Sequence, residues 1–143
     1  MNPLSEKSVL IVDDDRAMLR ALTKVLASEG CRVTSVDGPV AALGELSNRE
    51  KRFDLLIADL RMPVLSGRGV LSFATATVPE MPVIIITAFG SPETKAEALS
   101  LGAFDFLEKP IYAGQLEEAV NRALVRTATG AGSKGNPTKQ QTD

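Results

Sequence analysis

Short β-prone runs recur along this chain, and each is followed by a stretch in which apolar residues return every three or four positions. The runs are Val9-Leu10-Ile11-Val12, Arg32 to Val36, Leu55-Leu56-Ile57-Ala58, Val83-Ile84-Ile85-Ile86 and Phe104-Asp105-Phe106-Leu107. Runs this short and this rich in β-branched residues read as strands of a buried parallel sheet. The stretches between them read as helices. Leu19, Leu22 and Leu26 share one face of the first, with Met18 and Val25 beside it. Val40, Leu43 and Leu46 mark the second, and Val70, Leu71 and Phe73 the third, after a loop signalled by Pro63 and Gly67. The fourth covers about Pro92 to Leu101, and Leu116, Val120 and Leu124 line the fifth. Asp15 is placed to cap the first helix and Gly30 to end it, and Gly102 closes the fourth.

Five βα units predict an α/β fold, a doubly wound parallel sheet with right-handed crossovers. The first, third and fourth runs are apolar throughout and belong in the middle, covered on both faces. The second and fifth carry Arg32, Thr34 and Asp105, which suit the edges. That assignment gives strand order 2-1-3-4-5, with its switch point between strands one and three.

Open α/β sheets bind ligands at the carboxyl ends of their strands. Asp13 and Asp14 end the first run and Asp59 ends the third, so three carboxylates crowd the switch point. They repel one another unless a cation sits between them. Thr87 ends the fourth run and Lys109 comes shortly after the fifth. Taken singly, each has an ordinary explanation: an aspartate can cap a helix, a threonine can bond its own backbone, and a lysine can sit in a loop. One helix start needs one cap, however, and all five residues fall on the same sheet edge. Acids, a hydroxyl and an ammonium around one pocket point to phosphate and Mg²⁺ chemistry.

The chain has 143 residues, enough for one domain with its own core. A formal net charge of −2 argues against nucleic-acid binding held by electrostatics. Cys31 is the only cysteine, which excludes an intramolecular disulfide and reads as a small buried hydrophobe. The first residues carry no signal-peptide pattern and no run reaches transmembrane length, so the expectation is a cytoplasmic protein with no membrane partner. The sequence contains no histidine, so any phosphoryl group that arrives through histidine comes from another protein. The expected organisation is an extension over 1–7, a domain over 8–126 and a disordered tail or linker start over 127–143, where glycines, Pro137 and small polar residues replace large hydrophobes.

Four segments, in order, resemble the receiver domain of bacterial two-component response regulators. They are Val9 to Asp15, Asp54 to Pro63, Ile85-Ile86-Thr87-Ala88 and Gly102 to Pro110, and the resemblance covers about Lys7 to Arg126. It implies a flavodoxin-like (βα)5 fold and a phosphoacceptor signalling domain that assists its own phosphorylation and dephosphorylation. On this resemblance Asp59 is the phosphoacceptor, taking its phosphoryl group from a sensor histidine kinase or a histidine phosphotransfer protein. Asp14, Asp59 and the backbone carbonyl of Arg61 would hold Mg²⁺, with Asp13 acting mainly through bound water. Lys109 would pair with Asp59 and then with the phosphoryl group, and Thr87 would donate to a phosphoryl oxygen. Phe106 falls at the aromatic switch position, and the Lys109–Pro110 peptide is expected to be cis, placing the lysine over the pocket. Arg61 and Phe89 fall where side chains flank the route of water to phosphorus, which implies a long-lived acyl phosphate.

The output implied is a shift in the surface from about Pro92 to Arg126, read by a downstream effector domain or protein or by a phosphorylation-dependent homodimer. The Asp-Leu-Arg-Met-Pro stretch is most similar to regulators in which the receiver precedes an ATPase and a DNA-binding domain, pointing to transcriptional control. The enzymatic rival is a haloacid dehalogenase-type Mg²⁺-dependent phosphatase with Asp13 as nucleophile, since Asp13-Asp14-Asp15 contains the Asp-x-Asp spacing. Ala17 stands where that motif has Thr or Val, and no acidic pair directly follows Thr87.

Overall fold

The computed structural model describes residues 4–61, 66–88 and 90–130, with side chains described through residue 125. Strands and helices alternate: β1 (Ser8–Val12), α1 (Arg16–Ser28), β2 (Arg32–Val36), α2 (Pro39–Ser47), β3 (Leu55–Asp59), α3 (Gly67–Thr77), β4 (Val83–Thr87), α4 (Pro92–Ser100), β5 (Asp105–Glu108) and α5 (Ala113–Gly130). The five strands form one parallel sheet in the order β2-β1-β3-β4-β5, as the placing of polar residues at the edges requires. Every residue of β3 and β4 is buried, which is how a central strand covered on both faces is met in sequence as an unbroken apolar run.

Period-two alternation divides the core between the two faces. Val9, Ile11, Leu55, Ile57, Ile84 and Ile86 pack under α1 and α5, with Leu26, Leu116, Val120 and Leu124 from those helices. Leu10, Leu56, Ala58 and Ile85 turn the other way, toward Leu46 of α2 and Val70, Leu71 and Ala74 of α3. Asp15 caps α1 as expected, its carboxylate accepting from the N–H groups of Ala17 and Met18. Gly30 and Gly102 take positive φ, +94° and +110°, the left-handed conformation in which a helix is ended at least cost by glycine.

Several boundaries and faces differ from the sequence reading. Strand β5 begins one residue late, because its ladder with β4 starts at Ile84 opposite Asp105; Phe104 instead donates its N–H to the Val83 carbonyl from the preceding turn. In α2 the buried positions are Pro39, Ala42 and Leu46, so Val40 points outward and is 68% exposed. Gly67 opens α3 rather than marking the loop before it. Residues 4–7 of the extension pack onto the domain: Leu4 is buried against Cys31, whose thiol donates to the Leu4 carbonyl, and Glu6 donates its N–H to the Gly30 carbonyl. Helix α5 runs past Thr127, the expected start of the tail, because Arg126 to Thr129 contains no breaker before Gly130. Residues 131–143 and the Met62–Leu65 stretch containing Pro63 lie outside the described residues. Among the described residues no helix is long and apolar enough to cross a membrane.

Candidate functional site

The pocket forms where β1 and β3 diverge to helices on opposite faces of the sheet. β1 delivers Asp13 and Asp14 just past its last residue, and β3 ends on Asp59 itself. One carboxylate oxygen from each of the three lies within 4.8 Å of the others. Asp13 is fully buried and Asp59 is 5% exposed, while Asp14 faces solvent. Lys109 enters from beyond β5 and lies against two of them, its Nζ 3.1 Å from Asp13 Oδ2 and 3.2 Å from Asp59 Oδ2. The ammonium therefore bridges both acids rather than pairing with Asp59 alone. The Lys109–Pro110 peptide is cis.

Backbone donors hold the remaining carboxylate oxygens. Asp13 Oδ1 accepts from the Asp15 N–H at 2.9 Å, and Asp59 Oδ1 accepts from the Arg61 N–H at 3.1 Å. Each acid thus folds back on its own loop, a local bond typical of aspartate just past a strand. Burial is the main reason the Asp13 carboxyl lies above the ordinary aspartate range; the Asp15 N–H and Lys109 act against it, while the Asp59 charge adds to it. For Lys109 burial pulls the other way, but hydrogen bonds and charge from Asp13 and Asp59 outweigh it and raise the ammonium above its usual value. A buried carboxyl crowded by a second acid is a group that a further cation relieves. The donors are all oxygen, the preference of a hard divalent ion such as Mg²⁺. The residues present fit that ion.

Thr87 is fully buried at the end of β4, and its carbonyl accepts from the Lys109 N–H at 2.7 Å, which ties the two expected phosphate-binding positions to each other. Phe106 sits opposite Ile85 in the β4–β5 ladder, half-buried against the α2–α3 side of the core. Arg61 is exposed at the pocket rim. Phe89 lies outside the described residues.

One residue that positions the site was not singled out by its chemistry. Gly67 donates its N–H to the Leu60 carbonyl at 2.9 Å, and a Cβ on it would overlap the carbonyl oxygen of Asp59. The first turn of α3 therefore rests on the backbone of the candidate phosphoacceptor, an approach open to glycine alone. Its signal was a glycine at the very start of a helix, read as a loop marker.

The sequence profile described as "Response regulator receiver domain" matches residues 9–121. The transcriptional regulatory protein ZraR of Salmonella typhimurium is 40% identical over 124 residues, covering 86% of this chain and 28% of the relative. The response regulator protein FleR of Pseudomonas aeruginosa is 35% identical over 127 residues, covering 89% of this chain and 26% of its own. The chain thus spans about a quarter of the length of these curated relatives. Among solved structures, a response regulator receiver domain protein from Clostridium thermocellum superposes with TM-score 0.81 at 30% identity, covering 86% of this chain and 98% of that one. A CheY-like receiver domain protein from Methanospirillum hungatei gives 0.82 at 30%, covering 87% and 98%. These matches do not favour the dehalogenase-type alternative. A profile spanning nearly the whole folded chain agrees with the strand order and with the acids at the switch point, and the chain belongs to the response regulator receiver domain family.

Proposed function

We propose that Asp59 accepts a phosphoryl group from a phosphohistidine on a sensor histidine kinase or a histidine phosphotransfer protein. The observation that carries this reading is the convergence of Asp13, Asp14 and Asp59 within 4.8 Å, with Lys109 lying against two of them. A carboxylate oxygen of Asp59 attacks phosphorus, the P–N bond to imidazole breaks, and its electron pair leaves on the imidazole nitrogen. Asp14, Asp59 and the Arg61 carbonyl, with Asp13 acting mainly through bound water, would hold Mg²⁺, which would supply positive charge to offset that of the transferring group. Lys109 moves its ammonium from Asp59 to a phosphoryl oxygen while keeping Asp13, and the Thr87 hydroxyl donates to another. Phe106 follows Thr87 as the packing between β4 and α4 changes. The exposed Arg61 guanidinium lies at the rim through which water approaches, which favours slow hydrolysis; faster decay of the phosphorylated Arg61→Asn variant would support that role and unchanged decay would remove it.

The domain proper is taken as residues 8–126, since among the described residues Leu124 is the last deeply buried side chain of α5, with the remainder of the chain leading into a tail or linker. Its output is control of a downstream effector in the cytoplasm, and the names of the 40%- and 35%-identical relatives favour transcriptional or other regulatory output. The deciding experiment is incubation with acetyl phosphate and Mg²⁺, read by intact mass. One phosphoryl group is expected on the parent and none on Asp59→Asn, whose amide is nearly isosteric. Undiminished labelling of that variant, or labelling mapped to Asp13, overturns the reading. Mg²⁺ alone should raise the melting temperature of the parent. It should not do so for Asp14→Ala.

A further inference from the structure

The β2 edge of the sheet, far from β5, carries a groove of about 630 Å³ that the phosphoryl chemistry does not use. α1 forms one wall and Ala41 of α2 the other, with Ser35, Val36 and Asp37 between them and Leu19 in the floor. Its charge is one-sided. Arg16, Arg20 and Lys24 stand along α1 at four-residue spacing and all line it. Arg16 is taken up by Asp37 at 2.7 Å, but among the described residues Arg20 and Lys24 are paired with no carboxylate. The Thr23 hydroxyl, also in the lining, is buried with no hydrogen-bond partner.

The groove follows an open strand edge. Among the described residues β2 is bonded on one side only, to β1. The Arg32 N–H goes to the Lys7 carbonyl and the Val36 carbonyl receives the Asp13 N–H, so residues 32, 34 and 36 turn their backbone groups inward. Alternation along a strand then turns those of Val33 and Ser35 outward, beside the α1 cations. The spacings match as well. Four residues of helix rise about 6 Å. Two residues of extended chain rise about 6.6 Å. Arg16, Arg20 and Lys24 therefore keep step with every second residue of a strand laid alongside β2.

We infer that the α1–β2 edge docks an extended acidic segment of a partner protein, with glutamate or aspartate at alternate positions. Its backbone pairs with Val33 and Ser35, the alternate acids meet Arg20 and Lys24, and the side chains between them cover Val36 and Ala41. This is strand addition, in which main-chain bonds hold the segment and the flanking side chains select it. It is independent of phosphoryl transfer to Asp59.

The test uses a fluorescent peptide of about eight residues, a common strand length, alternating valine and glutamate. A second peptide of the same composition carries its glutamates in one block. Anisotropy should show the alternating peptide binding more tightly, with affinity falling as salt rises. Arg20→Glu/Lys24→Glu should weaken it by at least about tenfold, since two attractions become repulsions. Ser35→Pro removes an outward donor without touching the β1 ladder and should weaken it while leaving the melting temperature close to the parent's. Bound peptide should slow amide exchange at Val33 and Ser35. Equal binding of the two peptides, unprotected Val33 and Ser35 amides, or no binding of either overturns the inference.

Discussion

Helices α1 and α4 come after strands that both end at the pocket, yet the sheet holds them very differently. α1 has 13 residues and buries Leu19, Leu22 and Leu26, with its amino end capped twice by Asp15. α4 has nine, and its one fully buried side chain is Ala98; Leu99 beside it is 42% exposed. A buried leucine stabilises by about 1.5–3 kcal/mol and an alanine methyl by under about 1 kcal/mol. The side of the pocket that carries Asp13 and Asp14 is therefore a fixed frame. The side entered through Thr87 leads directly into an element that costs little to move. A negative charge added at Asp59 changes whichever packing is cheapest to change. The contrast gives physical content to the expectation that the surface from Pro92 onward reports phosphorylation.

The strongest test of that contrast removes packing from each helix in turn. Leu26→Ala is expected to cost about 2–5 kcal/mol, because it opens a cavity beneath α1. Ala98→Gly should cost about 1–2 kcal/mol, from helix propensity and one lost methyl. Urea midpoints measure both. Amide exchange should show α4 opening well before α1 in the parent. Comparable losses from the two substitutions would mean that α4 is as firmly seated as α1.

Next in size is Gly67→Ala. The added methyl must displace either α3 or the Asp59 carbonyl, at a cost of about 1–3 kcal/mol for overpacking. Because the displaced backbone belongs to the proposed phosphoacceptor, labelling by acetyl phosphate should slow along with the loss of stability. Full stability and full labelling in this variant would show that α3 yields freely, which would place it with α4 and not with the frame.

The frame is legible in sequence because burial on both faces leaves apolar residues throughout β3 and β4 up to the Asp59 and Thr87 that end them. Strand order came from where the polar exceptions fell. The acids were legible for a related reason: a carboxylate directly after an unbroken apolar run has no other place than the sheet's carboxyl edge. Less visible was whatever depends on rotation about a helix axis or on backbone approach. Pattern alone made Val40 part of the α2 seam, while the small side chain of Ala42 takes that place because α2 packs close. Leu4 carries no periodicity, since it is one residue closing the core through a turn, and Gly67 shows its role only once the Asp59 carbonyl is seen beneath it. The motif brings Lys109 toward Asp59, but its second acid, Asp13, is fixed by distance and not by motif.

Titration sharpens the contrast from the side of the frame. The Asp13 carboxyl is raised in the folded state, so the native protein holds that proton more tightly than the unfolded chain does. Its contribution favours folding at low pH and is lost as pH climbs from the usual 3.8 through the raised value. Lys109 is raised too, so its contribution is complete below the usual 10.5 and is lost as pH rises through the folded value. Asp13→Asn removes the first effect and part of the second. In chelator, the stability of the parent minus that of the variant should therefore fall with pH in both windows. A flat difference in the acidic window would mean that Asp13 is not strained by its burial.

The smallest expected effect concerns an ion pair between α3 and α4. Arg68, immediately after Gly67, places its Nε 2.7 Å from Glu97 Oε1 of α4, and both side chains are over 40% exposed. It links the helix seated on the Asp59 backbone to the helix with least burial. Solvent screening limits such a pair to about 0.2–1 kcal/mol, and salt should weaken it further. A double-mutant cycle with Arg68→Ala and Glu97→Ala measures it. The coupling should fall in that range at low salt and shrink as salt is added, and either single variant should speed amide exchange in α4 while leaving α1 unchanged. The reason is proportion: under about 1 kcal/mol is small beside three buried leucines but comparable to all that one buried alanine contributes. If removing the pair loosened both helices alike, the division into a fixed frame and a movable α4 would be wrong.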